Sequence, residues 1–189
     1  MAEGARRLAN YDDVLRAPPE ELAQVVDGEL HLSPRPAGRH ALVTTVLSEE
    51  LGPPFRRGRG GPGGWLLLFE PELHLGSDIL VPDLAAWRRE RLPSVGDEAY
   101  FVIAPDWVCE VLSPSTEKLD RSSKLRAYAS AGVSHAWLIN PLHRTLEILK
   151  RTDAGWLALG TYADDARVRA EPFDAIELDL ALLWSELSE

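Results

Sequence analysis

Apolar and polar positions change period several times along the chain, and each change marks an element. Val25-Val26-Asp27-Gly28-Glu29-Leu30 sets an Asp-Gly pair between short apolar segments, which predicts a β-hairpin because Gly tolerates positive φ. Over residues 39–51, Val43, Val46, Leu47 and Leu51 recur at helical spacing, so an amphipathic helix is predicted, with Gly52-Pro53-Pro54 as its stop. Residues 58–64 hold five glycines and a proline, a composition costly to order, which predicts a mobile loop. Residues 65–75, 80–87 and 107–112 read as three successive strands, separated by turn-rich segments around Gly76-Ser77-Asp78 and residues 92–97. Ser113-Pro114-Ser115-Thr116 offers capping hydroxyls for a second helix over residues 117–131, which Gly132 ends. Further strands are predicted at residues 135–139, 145–150 and 156–162. The result is an α/β fold with an α-β-β-β-α-β core, a mixed β-sheet flanked by helices, and added strands at both ends. No repeat or linker divides it, so residues 1–189 are expected to form a single domain, with residues 1–10 as a flexible N-terminus.

Composition narrows this picture in three ways. The 189 residues are 45% hydrophobic, ordinary for one globular core, and the apolar runs at residues 65–69 and 107–112 are far too short to cross a hydrocarbon layer of ~30 Å. Residues 1–10 contain two arginines but no apolar stretch after them, unlike a secretory signal, so a cytoplasmic location is expected without membrane association. Cys109 is the only cysteine; it excludes an intramolecular disulfide and a cysteine-rich zinc site, and in its apolar run it reads as a small core residue. The net charge of −10 opposes general electrostatic attraction to nucleic acid, so any such surface must be local. Three basic clusters are candidates: Arg56, Arg57 and Arg59; Arg88, Arg89 and Arg91; and Lys118, Arg121, Lys124 and Arg126. Each taken singly is better explained as ordinary solvated charge.

A few residues break the apolar pattern in ways that imply chemistry. Glu110 lies in Trp107-Val108-Cys109-Glu110-Val111-Leu112, a run apolar on both alternating faces, where an unpaired carboxylate would cost several kcal/mol. It must pair, hydrogen-bond or bind a metal, and a structural salt bridge is the plain alternative. Asp83 poses the same problem in Leu80-Val81-Pro82-Asp83-Leu84-Ala85-Ala86-Trp87, unless it is a turn residue after Pro82. Two such acids on core strands point to a hard cation such as Mg²⁺. Asp120, Lys124 and Tyr128 recur every fourth residue on the second helix. That stripe would set Lys124 at the core edge, although on spacing alone an ordinary Asp120–Lys124 surface pair is the better explanation.

Val81-Pro82-Asp83, the run Ala104-Pro105-Asp106-Trp107-Val108-Cys109-Glu110-Val111-Leu112-Ser113-Pro114-Ser115-Thr116, then Asp120, Lys124, Tyr128, Ala131-Gly132-Val133 and Trp137-Leu138-Ile139 resemble the Uma-two family of bacterial restriction endonucleases. That family belongs to the PD-(D/E)xK nuclease superfamily. The similarity runs from about Tyr11 to Leu178-Asp179-Leu180, and Glu-Val-Leu-Ser-Pro-Ser-Thr is its most specific block. It implies a restriction-endonuclease-like fold in which Asp83 and Glu110 hold Mg²⁺ or Mn²⁺, and Asp83, Glu110 and Lys124 are catalytic. The superfamily lysine stands two residues after the second acid, where this chain has Leu112; Lys124 from the following helix is the matching residue. Gln24 stands where the family has Glu, Asn140 where it has Asp, and His40 matches a histidine at the start of the first long helix. Gln24, His40, Asp120 and Tyr128 are secondary candidates. The resemblance implies hydrolysis of DNA phosphodiesters. A weak or inactive nuclease-fold module binding nucleic acid or a protein, favoured by the acidic charge and by Gln24, is the alternative, with a metal hydrolase of smaller phosphoesters as a third reading. A homodimer would suit cutting of both strands, though no residue specifies it.

Overall fold

The computed structural model describes residues 7–188. Helix α1 (Tyr11–Leu15) is capped by the Asn10 side chain, and the Ala9 N–H donates to the Gly28 carbonyl at 2.8 Å. The described part of the N-terminal segment is thus tied down; residues 1–6 lie outside the described range. Strands β1 (Glu21–Val26) and β2 (Glu29–Pro34) form the hairpin that Asp27-Gly28 predicts. Both turn residues take left-handed backbone, with φ of 53° and 75°, as a two-residue turn between right-twisted strands requires.

Helix α2 (Gly38–Leu51) buries Val43, Leu47 and Leu51. The expected stop at Gly52-Pro53-Pro54 is instead a π-helical turn (Gly52–Arg56). Two prolines cannot donate to the α-helical ladder, and the Arg57 N–H reaches back to the Gly52 carbonyl at 3.1 Å. The glycine-rich loop is laced to this turn: Arg59 and Gly63 donate to the Pro53 and Pro54 carbonyls at 2.8 and 2.9 Å. At Gly61 a Cβ would lie 2.5 Å from the Pro54 Cβ, so only glycine fits the approach.

The two strands expected at residues 65–75 and 80–87 are each broken. They form β3 (Trp65–Phe69), β4 (Leu73–Leu75), β5 (Asp78–Leu80) and β6 (Leu84–Arg88). Pro71 and Pro82 each remove a ladder donor, and Glu70 turns into left-handed backbone at φ 42°. One long hairpin therefore bends at a corner and contributes to two sheets, β3–β6 to the larger and β4–β5 to the smaller.

The rest follows the expected order: β7 (Trp107–Val111), α3 (Glu117–Leu119), a π-helical turn (Asp120–Lys124), α4 (Leu125–Ala131), β8 (His135–Asn140), β9 (Thr145–Thr152) and β10 (Gly155–Ala163). A short ribbon, β11 (Arg167–Val168) with β12 (Leu178–Asp179), and helix α5 (Ala181–Trp184) complete the described chain. Gly132 ends α4 with φ 89°. The larger sheet runs β10-β9-β8-β7-β6-β3 and the smaller β2-β1-β5-β4. Only β7 and β8 pair in parallel within the larger sheet, because only they are joined by a helical crossover.

Both faces of the larger sheet are covered, as the apolar run of β7 requires. One face packs Trp65, Leu84, Trp107, Cys109 and Trp137 against α2 and the C-terminal segment. The other packs Ala85, Val108 and Leu138 against Leu125 and Tyr128 of α4 and against Leu73 and Leu80 of the smaller sheet. Phe173 sits at the centre of the first core, with ring centroids 4.7, 4.9, 5.0 and 5.7 Å from Phe55, Trp65, Trp107 and Trp137. We expect Phe173→Ala to cost ~3–5 kcal/mol of unfolding free energy. Urea denaturation checks this, and a loss below ~1 kcal/mol would mean that the aromatic cluster does not organise this face.

Candidate active site

The bend in the hairpin creates the site. Asp83 lies not within a strand but in the break between β5 and β6, where the chain leaves one sheet for the other. Its Oδ2 accepts the Val111 N–H at 2.6 Å, fastening the corner to the end of β7. Its Oδ1 lies 3.1 Å from His40 Nε2 on α2. Gln24 of β1 braces the same corner from the other side, its Oε1 accepting the Val81 N–H at 2.8 Å in a buried bond. Two distant segments therefore hold the carboxylate itself, and a third holds the backbone corner that carries it.

Glu110 faces the second core, between Val108 and Leu112, and is 3% exposed. Its Oε1 receives the Lys124 ammonium at 2.8 Å and the Tyr128 hydroxyl at 2.6 Å. Lys124 also reaches Asp120 Oδ1 at 3.3 Å and the Val81 carbonyl at 3.4 Å. The spacing of Asp120, Lys124 and Tyr128 along one helix thus aims all three at β7. Lys124 was expected at the core edge and lies inside it, 2% exposed. The Asp120–Lys124 pair exists but is buried, not solvated.

Burial pushes the Glu110 carboxyl up to about 8, against the opposing pull of Lys124. For Lys124 burial acts downward, yet Glu110 and Asp120 outweigh it and raise the ammonium above its ordinary value. His40 behaves alike: burial lowers it, but Asp83 prevails and raises the ring. Burial also raises the Cys109 thiol, which lies wholly inside the core as a packing residue.

Gln24, His40, Asp83, Glu110, Asp120 and Lys124 line one cavity of about 240 Å³, together with Arg35 and the Ser113, Ser115 and Thr116 hydroxyls. Tyr128 is absent from that lining and supports Glu110 from behind. Asn140 is elsewhere, its Oδ1 accepting the Leu142 and His143 N–H groups of the β8–β9 turn. Glu70 went unnoticed in the sequence. It sits at the same corner, its N–H donating to the Asp83 carbonyl at 3.0 Å, and burial followed by the Asp83 charge raises its carboxyl. An acid directly before Pro71, inside an otherwise apolar strand pattern, was the available signal.

Among the described residues no set of three or more His, Cys, Asp or Glu forms a ready cage for a metal. The donor chemistry nonetheless fits a hard divalent cation. Mg²⁺ takes one or two protein carboxylates and completes its shell with water and phosphate oxygens. Asp83, Glu110 and Asp120 bring three carboxyl groups to the cavity, and Lys124 engages one oxygen of Glu110 and one of Asp120.

A mixed sheet covered on both faces, with acids gathered at the bend of its hairpin, defines a restriction-endonuclease-like α/β protein. The chain belongs to the Uma2 family, described as “Putative restriction endonuclease”, which matches residues 8–182. In fold it is similar to the crystal structure of “a putative nuclease belonging to DUF820” from Anabaena variabilis ATCC 29413. The TM-score is 0.72 and the identity 22%, over 94% of this chain and 98% of that one. No curated protein matches the chain. Among the described residues no helix is long and apolar enough to cross a membrane.

The raised Glu110 pKa has a consequence for stability. The metal-free folded state holds a proton that the unfolded chain releases above the ordinary carboxylate value of 4.5. Its stabilising effect is complete below that value and is lost as pH rises through about 8. Thermal unfolding in a chelator should show wild-type stability falling relative to Glu110→Gln between pH 5 and 8; a gap independent of pH would contradict the assignment.

Proposed function

We propose that the chain hydrolyses DNA phosphodiester bonds with a divalent cation, Mg²⁺ or Mn²⁺, held by Asp83 and Glu110. The observation that carries this reading is the convergence of Asp83, Glu110 and Lys124 on one cavity from a strand break, a strand and a helix. Membership of the family described as “Putative restriction endonuclease” supports it. A bound cation supplies Lewis acidity, polarising a phosphate oxygen and lowering the pKa of a bound water.

The chain's own residues do the remaining work. The Val111 N–H and His40 fix both oxygens of Asp83 in orientation. Tyr128 and Lys124 keep Glu110 in place by engaging the same oxygen, Oε1. The Lys124 ammonium has three oxygens within reach, of Glu110 at 2.8 Å, Asp120 at 3.3 Å and the Val81 carbonyl at 3.4 Å, and the hydrogen bond to Val81 is the longest of these contacts. That bond is the one a substrate phosphate oxygen or an attacking water would replace. Charge developing there meets a cation already oriented in a dry wall, where such stabilisation is worth most.

A second reading has a specific observation behind it. The Gln24 Oε1 is committed to a backbone N–H, so this position braces the corner in place of the acid common in the family. A catalytically weak module that binds nucleic acid would tolerate that exchange. Incubating plasmid with the protein and Mg²⁺ or Mn²⁺ separates the readings. Wild type should convert supercoiled plasmid to nicked or linear forms. Asp83→Asn, Glu110→Gln and Lys124→Met should each lower the rate by ~10²-fold or more, Lys124→Met with Mn²⁺ affinity retained. No cleavage by the folded, metal-loaded wild type would favour the binding module, and wild-type rates in Lys124→Met would remove the lysine from the chemistry.

A further inference from the structure

An acidic cavity that accepts a phosphodiester needs positive charge at its mouth, and the basic clusters of the sequence do not supply it. Arg89 donates to the Arg56 carbonyl at the Trp65–Arg88 end of the β3–β6 pair, so the Arg56–Arg59 segment and Arg88–Arg89 lie together there. That end is roughly 16 Å from Asp83, at about 3.3 Å per strand residue. Arg121 is held by Glu117 and Glu147, and Arg126 by Asp27, while Lys118 is exposed and outside the cavity lining. Three basic side chains line the cavity itself. Lys124 is paired with Glu110 and Asp120, and His40 with Asp83. Arg35 makes no ion pair among the described residues, although its charge acts on Glu70.

The setting of Arg35 suits a ligand contact. It is exposed, and one donor reaches the Pro19 carbonyl at 3.1 Å, leaving the rest of the guanidinium fork free. Pro34 at the end of β2 and Pro36 in the strap to α2 flank it, and their fixed φ lowers the entropy lost when this segment presents its side chain. The same cavity wall carries a second polar group. Ser113 Oγ lies 3.0 Å from both Ser115 Oγ and Thr116 Oγ1. Three hydroxyls making two mutual bonds leave one hydroxyl hydrogen uncommitted.

We propose that Arg35 and the Ser113–Ser115–Thr116 hydroxyls form an anion-gripping rim that takes a backbone phosphate of a nucleic-acid substrate. The proposal rests on the phosphodiester reading above and gives it a substrate contact. The rim holds phosphate, not base edges, so its contribution is independent of sequence. It brings the anion past the carboxylates that would otherwise repel it.

Fluorescence anisotropy with labelled oligothymidylate and with a mixed-sequence duplex, in Ca²⁺ to occupy the carboxylates, tests the rim. Arg35→Ala should weaken binding of at least one probe by roughly tenfold to a hundredfold, the scale of a lost charge-assisted hydrogen bond. It should also flatten the log Kd against log salt slope by about 0.7–0.9, one phosphate's worth. Arg35→Lys should recover part of the loss, and Ser115→Ala with Thr116→Val should weaken binding by about threefold or more. Circular dichroism and Mn²⁺ affinity should stay at wild-type values in Arg35→Ala. Equal affinity and slope in wild type and Arg35→Ala overturn the rim while leaving the cleavage reading to the plasmid assay. Failure of wild type to bind either probe overturns the rim directly.

Discussion

A carboxylate buried in the middle of a sheet must be answered by other charges or hydrogen bonds, and Glu110 sets the terms for everything around it. Its neighbours on the same face are Val108 and Leu112, which offer nothing polar, and an uncompensated charge there costs several kcal/mol. The compensation comes from one helix, through the Lys124 ammonium and the Tyr128 hydroxyl. That requirement fixes how α3, the π-helical turn and α4 lie on the sheet. The turn falls at Asp120–Lys124, so the local widening occurs where two charged side chains must point inward together. π-helical turns are often found at functional sites, and here the distortion coincides with the cavity wall.

The second constraint is the corner at Asp83. A hairpin that ran straight would place Glu70 and Asp83 in a sheet ladder; Pro71 and Pro82 prevent this and hand the ribbon from one sheet to the other. The backbone groups freed by the break are satisfied by side chains, Gln24 on the Val81 N–H and Asp83 on the Val111 N–H. The bonds that repair the fold are therefore the same bonds that aim the candidate ligands. If Asp83 holds the proposed cation, changes at this corner would couple stability to chemistry, because the same carboxylate also repairs the fold.

Much of this was legible in the sequence where the signal is local. Asp27-Gly28 marked a two-residue turn, helix 39–51 and the β7–helix–β8 unit followed their periods, and the break in polarity at Glu110 exposed a residue with an obligatory partner. What failed was non-local. The apolar alternation through residues 65–75 and 80–87 outweighs Pro71 and Pro82, so two bent strands read as straight ones, and the turn after Pro82 that Asp83 occupies is only the alternative reading. Nothing in a single sequence shows that His40 meets Asp83 across 43 positions, or that Arg35 faces the same cavity as Ser115. Runs of arginine read as candidate surfaces, while a lone arginine between two prolines gives no such signal. Charge density along the chain is a poor guide to charge placement in space once a sheet separates its ends.

The central claim is that Asp83 and Glu110 jointly hold one divalent cation, and titration calorimetry with Mn²⁺ tests it most directly. The account predicts one Mn²⁺ per chain, competed by Mg²⁺. Affinity should fall by ~10-fold or more in both Asp83→Asn and Glu110→Gln, but not in Asp106→Asn, whose carboxylate caps the Arg88 N–H and pairs with Arg91 at the far end of β6. Wild-type Mn²⁺ affinity in either of the first two variants would contradict it.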